Sequence, residues 1–169
     1  ALVGSQPERA RLMIQQLSDF LRGTIKRDDQ QLVTLKEELN HLQLYLEIEK
    51  VRFGHRLKTA INPATETLEL KLPSLLLQPV VENAIKFGLY DTIGDITISI
   101  DTSSADQALL IRVENPFDSA TTQPRQGTGF GLSGIQRRLY LLYARNDLLR
   151  TQQTSHNTFI TEVTIPQPA

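Results

Sequence analysis

The chain has 169 residues, 40% hydrophobic and 22% charged, and its 18 Lys and Arg nearly balance 19 Asp and Glu. A chain this long can bury roughly 70% of its unfolded surface, so one cored domain, alone or with an appendage, is expected without staples. The net charge of −1 gives no basic field for nucleic acid, the lack of cysteine removes disulfides, thiolate metal sites and cysteine nucleophiles, and no apolar run reaches the ~18 residues of a membrane span.

The first residue is Ala1 and no signal-peptide pattern follows, so a processed chain or a piece of a longer protein is expected. Residues 7 to about 23 read as a helix. Pro7 suits its first turn, and Ala10, Met13, Ile14, Leu17, Phe20 and Leu21 recur at helical spacing. A second helix is expected from about 29 to 53, with Leu32, Leu35, Leu39, Leu42 and Leu46 forming a heptad seam. The two make a helical hairpin. Its apolar surface is expected to pack on a second copy, giving a four-helix bundle, or else on the domain that follows.

Gly54 closes that helix, and the period changes. Residues 57 to 61 and the alternating 68 to 72 read as strands, with Asn62-Pro63 between them. Pro73 is expected to open a helix through about Phe87, apolar nearly all round and so buried. Residues 96 to 100 and 109 to 113 alternate as a strand pair joined by a polar loop at 101 to 106. A polar loop with Gly127, Gly129 and Gly131 leads to a helix from Leu132 to about Tyr143. Two short strands follow, near 148 to 151 and 159 to 165. This order predicts an α+β fold: a two-layer α/β sandwich, helices on one face of a mixed, mostly antiparallel sheet, preceded by the helical hairpin.

Three features carry chemistry. Glu82 and Asn83 lie in the apolar helix, with Lys86 three positions after Asn83 on the same face. An amide oxygen can ligate a hard cation such as Mg²⁺, and an ammonium can meet phosphate oxygens. Taken alone, a polar helix edge that reaches water explains these residues better. The run Gly127-Thr128-Gly129-Phe130-Gly131 before a helix lets backbone amides approach phosphate, though glycines also serve plain turns. It is neither a P-loop nor a dinucleotide fingerprint. Asn115, at the end of a strand, could meet a purine edge or be a turn residue.

Together, residues 75 to 88 (LLLQPVVENAIKFG) resemble the N box of the LytS-like sensor histidine kinases, in the GHKL ATPase superfamily. Residues 127 to 132, then Ile135, Arg137, Arg138, Leu139 and Tyr143, resemble that family's glycine box and following helix. Leu35, Glu38, Leu39 and the segment 45 to 53 resemble the connection between dimerisation helices and ATP domain. The resemblance covers nearly the whole chain. It implies a bacterial two-component kinase that binds ATP and Mg²⁺ and transfers the γ-phosphate to a histidine, from which a response regulator receives it. In this class the regulator is often of the LytTR type.

On the resemblance, Asn83 holds Mg²⁺, Lys86 meets phosphate, and Gly127, Thr128, Gly129, Gly131 and Leu132 cradle phosphates at the hinge of a lid at 116 to 126. Glu82 polarises the accepting imidazole, and Asn115 stands where the family's adenine-reading Asp belongs. Residues 1–54 become a partial dimerisation hairpin, forming a homodimer through 7–53, and 55–169 the ATP-binding domain. The chain then lies on the cytoplasmic side of a membrane-anchored parent, without a nucleic-acid partner.

The departures matter as well. Asn115 is neutral where Asp is charged, and charge-assisted bonds are roughly twice as strong as neutral ones, so weaker ATP binding is expected. Phe87 replaces a common His, and Pro79 sits where related hydrolases carry a base. His41, His55 and His156 do not match the phosphoacceptor motif, which belongs before Ala1. A polar helix face or solvated loop is the expected home of each. The alternative from another class is a degenerate domain acting as a non-catalytic dimerisation or interaction module.

Overall fold

The computed structural model describes residues 7–25, 31–91, 94–117 and 130–168. The first helix, α1 (Pro7–Ile25), follows the expected periodicity. It packs on the next helix through Phe20, whose ring stacks on His41 at 4.9 Å and lies 6.0 Å from Tyr45. His41 is thus buried in the helix pair, not on a polar face, because Phe20 and Thr24 meet it from α1. His55 and His156 are exposed.

The second helix starts later than its heptad suggests. Leu32–Thr34 is a short strand, β1, paired antiparallel with β3 (Lys71–Pro73). Helix α2 (Leu35–Phe53) follows. Thr34 is its N-cap in a full capping box: the Glu37 amide donates to Thr34 Oγ1 at 3.1 Å, and the Thr34 amide donates to Glu37 Oε2 at 2.8 Å. The amides of Leu35 and Lys36, free in any helix start, donate to the carbonyls of Leu70 and Leu68 at 2.8 and 3.0 Å. Those carbonyls are available because residues 65 to 67 form a 3₁₀ turn and only 71 to 73 extend. Gly54, at φ 62°, ends α2 as expected.

Of the two fates the sequence leaves for the leucine seam, Leu35, Leu39, Leu42 and Leu46 take the second: all are buried in the core they share with the sheet. Each such side chain stabilises the fold by about 1.5–3 kcal/mol. Strand β2 (Leu57–Pro63) comes next, then β3, then α3 (Leu77–Asp91). Pro73 ends β3 instead of opening α3, since its partner Leu32 holds it extended.

Strands β4 (Ile96–Ala105) and β5 (Ala108–Pro116) form a hairpin turning tightly at Asp106 and Gln107, both at positive φ, so most of the loop expected at 101 to 106 is instead strand, held by its pairing with β5. Helix α4 (Phe130–Tyr143), β6 (Leu149–Gln153) and β7 (Thr158–Pro166) complete the described chain. The five-stranded sheet runs β2-β4-β5-β7-β6, parallel between β2 and β4 and antiparallel elsewhere. Its inward residues, among them Ile98, Ile100, Leu109, Ile111, Val113, Val163 and Ile165, meet the helices in one core. The sheet is therefore the mixed, mostly antiparallel layer the sequence predicts, behind an N-terminal helical part. No described helix is long and apolar enough to cross a membrane.

Candidate functional site

Helix α3 carries most of the candidate residues, and its neighbours fix it at both ends. At its start, both oxygens of Glu38, only 1% exposed on α2, accept backbone amides: Leu75 to Oε2 and Leu77 to Oε1, each at 3.0 Å. Towards its end, Arg56 donates to the Leu89 carbonyl at 3.2 Å and to the Gly94 carbonyl at 3.0 Å. A cation at a helix C-terminus and an anion at its N-terminus both suit the helix dipole.

The buried face of α3 carries Leu77, Val80, Val81, Ala84, Ile85 and Leu89. Glu82 and Lys86 are exposed, and Asn83 is half-buried beside them. Glu82 accepts a hydrogen bond from Gln78 at 2.7 Å. The Lys86 ammonium lies 5.8 Å from the Phe87 ring centre. Glu82 also looks towards α2. Burial pushes the Tyr45 phenol far above its ordinary range, and the carboxylates of Glu49 and Glu82 push the same way. Burial raises the Glu49 carboxyl too; Arg52 works against this and Glu82 adds to it.

Asn115 lies on the inner side of β5, 2% exposed, continuing the inward series of Ile111 and Val113. Its Nδ2 donates to the Pro116 carbonyl at 2.9 Å. The end of β5 reaches α3 at Gly88, where an added Cβ would lie 3.6 Å from the Pro116 carbonyl and 2.6 Å from Ile96 Cδ1. A side chain at position 88 would have to push the end of Ile96 aside, while its distance to the Pro116 carbonyl is that of ordinary contact. The start of α4 meets the other end of α3: a Cβ on Gly131 would lie 3.8 Å from the Pro79 carbonyl. Leu132, half-buried, packs against the core.

Helix α3, which carries Glu82, Asn83 and Lys86, is thus met near Gly88 by the end of β5, next to Asn115, and near Pro79, at its other end, by the start of α4 with Gly131 and Leu132. Gly127, Thr128, Gly129 and residues 118 to 126 of the lid expected at 116 to 126 lie outside the described residues, while Pro116 ends β5 and Phe117 is buried. Among the described residues no three His, Asp or Glu side chains converge as a metal site.

Sequence reasoning named Glu38 only as part of a family resemblance, with no role, and did not name Arg56 or give Gly88 a role. Glu38 and Gly88 fall inside segments that resemble the kinase family. Their roles depend on partners tens of residues away, so no local pattern displays them.

A family profile described as histidine kinase matches residues 1–57. The sensor histidine kinase BtsS of Escherichia coli (strain K12) is 34% identical over 140 residues, covering 82% of this chain and 24% of BtsS. The sensor protein LytS of Oceanobacillus iheyensis is 31% identical over 174 residues, covering 95% of this chain and 30% of that protein. The chain therefore spans less than a third of the length of these relatives. Among solved structures, the catalytic domain of the histidine kinase ThkA superposes with a TM-score of 0.60 at 17% identity, covering 81% of this chain and 96% of that one. The Acinetobacter baumannii histidine kinase AdeS gives 0.58 at 11% identity, covering 98% and 82%. These structural likenesses concern the fold. The sequence relatives reach both the α2 segment and the α3 motif, and with them the chain belongs to the LytS-like sensor histidine kinases, a family of two-component signalling proteins with a GHKL-type catalytic fold.

Proposed function

We propose that this chain is the ATP-binding catalytic portion of a two-component sensor histidine kinase. The observation that supports the reading is that α3 carries Asn83 and Lys86 on one helix and is met at its two ends by β5, which bears Asn115, and by α4, which bears Gly131. Asn83 would hold Mg²⁺, which when bound neutralises phosphate charge and orients the γ-phosphoryl group. Lys86 meets phosphate oxygens. Gly127, Thr128, Gly129, Gly131 and Leu132 form the phosphate cradle at the lid hinge. Asn115 donates Nδ2 to the Pro116 carbonyl, which leaves Oδ1 to accept from the adenine amino group.

A histidine outside residues 1–169 receives the phosphoryl group. Its ring nitrogen attacks the γ-phosphorus, the bond to the β-phosphate oxygen breaks, and ADP leaves. Glu82, exposed on α3, orients that imidazole and takes its proton. The fragment alone does not phosphorylate itself. A response regulator, of LytTR type in this class, takes the phosphate next. Residues 1–54 act as the partial dimerisation part and 55–169 as the nucleotide-binding part, on the cytoplasmic side of a membrane-anchored parent.

A second reading, a degenerate domain serving only as an interaction module, is favoured by the neutral Asn115. Calorimetric titration with a non-hydrolysable ATP analogue, with and without Mg²⁺, separates the two. Saturable, Mg²⁺-dependent binding in the micromolar to millimolar range, lost in Asn83→Ala, is expected. No binding at millimolar ligand overturns the first reading, and recovery in Asn115→Asp would assign the loss to that residue.

A further inference from the structure

The segment between β3 and α3 is gripped from three sides. The Ser74 amide donates to the Gln31 carbonyl at 2.9 Å, just before β1. The Ser74 carbonyl accepts from Arg138 of α4 at 2.8 Å. Leu75 and Leu77 donate to the two oxygens of Glu38 on α2. Leu75 itself stands at φ 56°, a left-handed conformation that a leucine adopts only when its surroundings hold it there. Glu38 and Ser74 are both fully buried. Three separate elements, α2, α4 and the approach to β1, thus converge on four residues that lead directly into the helix bearing Asn83 and Lys86.

We propose that Glu38 is a positioning residue that couples α2 to the nucleotide site: its carboxylate fork fixes the Ser74–Leu77 turn, and Arg138 ties α4 to the same turn, so that a shift of α2 repositions α3 and α4 together. The second half of this statement rests on the nucleotide-binding reading above. The fork is suited to the task. A carboxylate that accepts two amides resists both rotation and withdrawal, and a burial this deep leaves no water to replace it. Helix α2 is also the helix on which α1 packs, through Phe20 and His41, and Glu38 lies one turn before His41 on it, so a displacement of α2 carries the carboxylate fork with it. Glu38 touches no reacting atom. It acts through the start of α3.

The test uses the 169-residue chain and two readouts, backbone amide exchange and calorimetric binding of a non-hydrolysable ATP analogue with Mg²⁺. Glu38→Gln keeps the shape but turns one acceptor into a donor facing an amide. Expected are faster exchange along α3 and the first turns of α4, unchanged exchange in β5 and β7, and nucleotide binding weakened on the order of tenfold. Glu38→Asp, which keeps the charge and reaches one amide, should recover part of the affinity. Acceleration confined to Leu75 and Leu77, or spread evenly over the chain with affinity intact, would overturn the coupling. Should wild type bind no nucleotide, the functional reading fails, while the exchange pattern still decides whether Glu38 governs α3. Should Glu38→Gln not fold, Arg138→Met releases the same turn from the other side and is judged by the same two readouts.

Discussion

Asp147 holds the turn between α4 and β6 through both of its oxygens. Arg145 donates to Oδ1 at 2.9 Å and to Oδ2 at 2.6 Å, and this bidentate contact brings the Asp147 carboxyl down to about 2. A carboxyl depressed in the folded state favours folding above its unfolded value, and that contribution disappears as pH falls through the folded value. The window therefore runs from about pH 4 down to about pH 2. Wild type should melt higher than Asp147→Asn at pH 6, and the two curves should meet near pH 2. Melting temperatures at half-unit steps check this, and parallel curves would refute it. Both partners are half exposed, so the gap should shrink in high salt. Residues of this local kind are legible from sequence, since Arg145 and Asp147 sit two apart. His41 is not: nothing near it announces that Phe20 covers its ring.

At the level of elements, α3 is held where it is by an empty position. Gly88→Val would drive side-chain atoms into Ile96 and towards the Pro116 carbonyl. Overpacking of this sort costs about 2 kcal/mol. That corresponds to a drop in melting temperature of roughly 6 °C for a chain of this size. Weaker nucleotide binding should accompany it, because α3 and the end of β5 separate. Urea unfolding and the calorimetric titration check both effects, and a variant of wild-type stability would show that the contact yields freely. The element types were readable from the periods: Ile96, Ile98 and Ile100 alternate, and Leu77 through Leu89 recurs as a helix. The two helix starts that failed share one cause. Leu32 fits a heptad and Pro73 fits a helix start, but they pair with each other across some forty residues. The helix therefore begins after each of them, at Leu35 and at Leu77. The candidate site was legible as residue types on α3, β5 and α4. The supports that hold it, Glu38, Arg56 and Gly88, were not, since each is defined by a partner distant in sequence.

Across the whole molecule, α1 stands apart. Its Leu12, Ile14, Leu17 and Leu21 remain exposed, by 55%, 66%, 41% and 48%, while α2 spends its seam on the core. The homodimer proposed for residues 7–53 thus has α1 as its apolar face. Light scattering should report a dimer for the chain, and the double change Ile14→Asp and Leu17→Asp should give a monomer with unchanged helical content. A wild-type monomer at high concentration would remove α1 as the dimer face.

The order of the sheet bears on the same question from the other direction. Its margins are β2 and β6. Long apolar margins invite strands from other molecules to add on and extend the sheet indefinitely. Here β6 is only five residues long, and Arg150, Thr151, Gln152 and Gln153 are all exposed. At the opposite margin β2 presents an exposed Lys58 and finishes on Pro63, which has no amide to offer. Charge, polarity and proline discourage open-ended stacking at both rims, so the sheet is poorly suited to fibrous growth by edge addition.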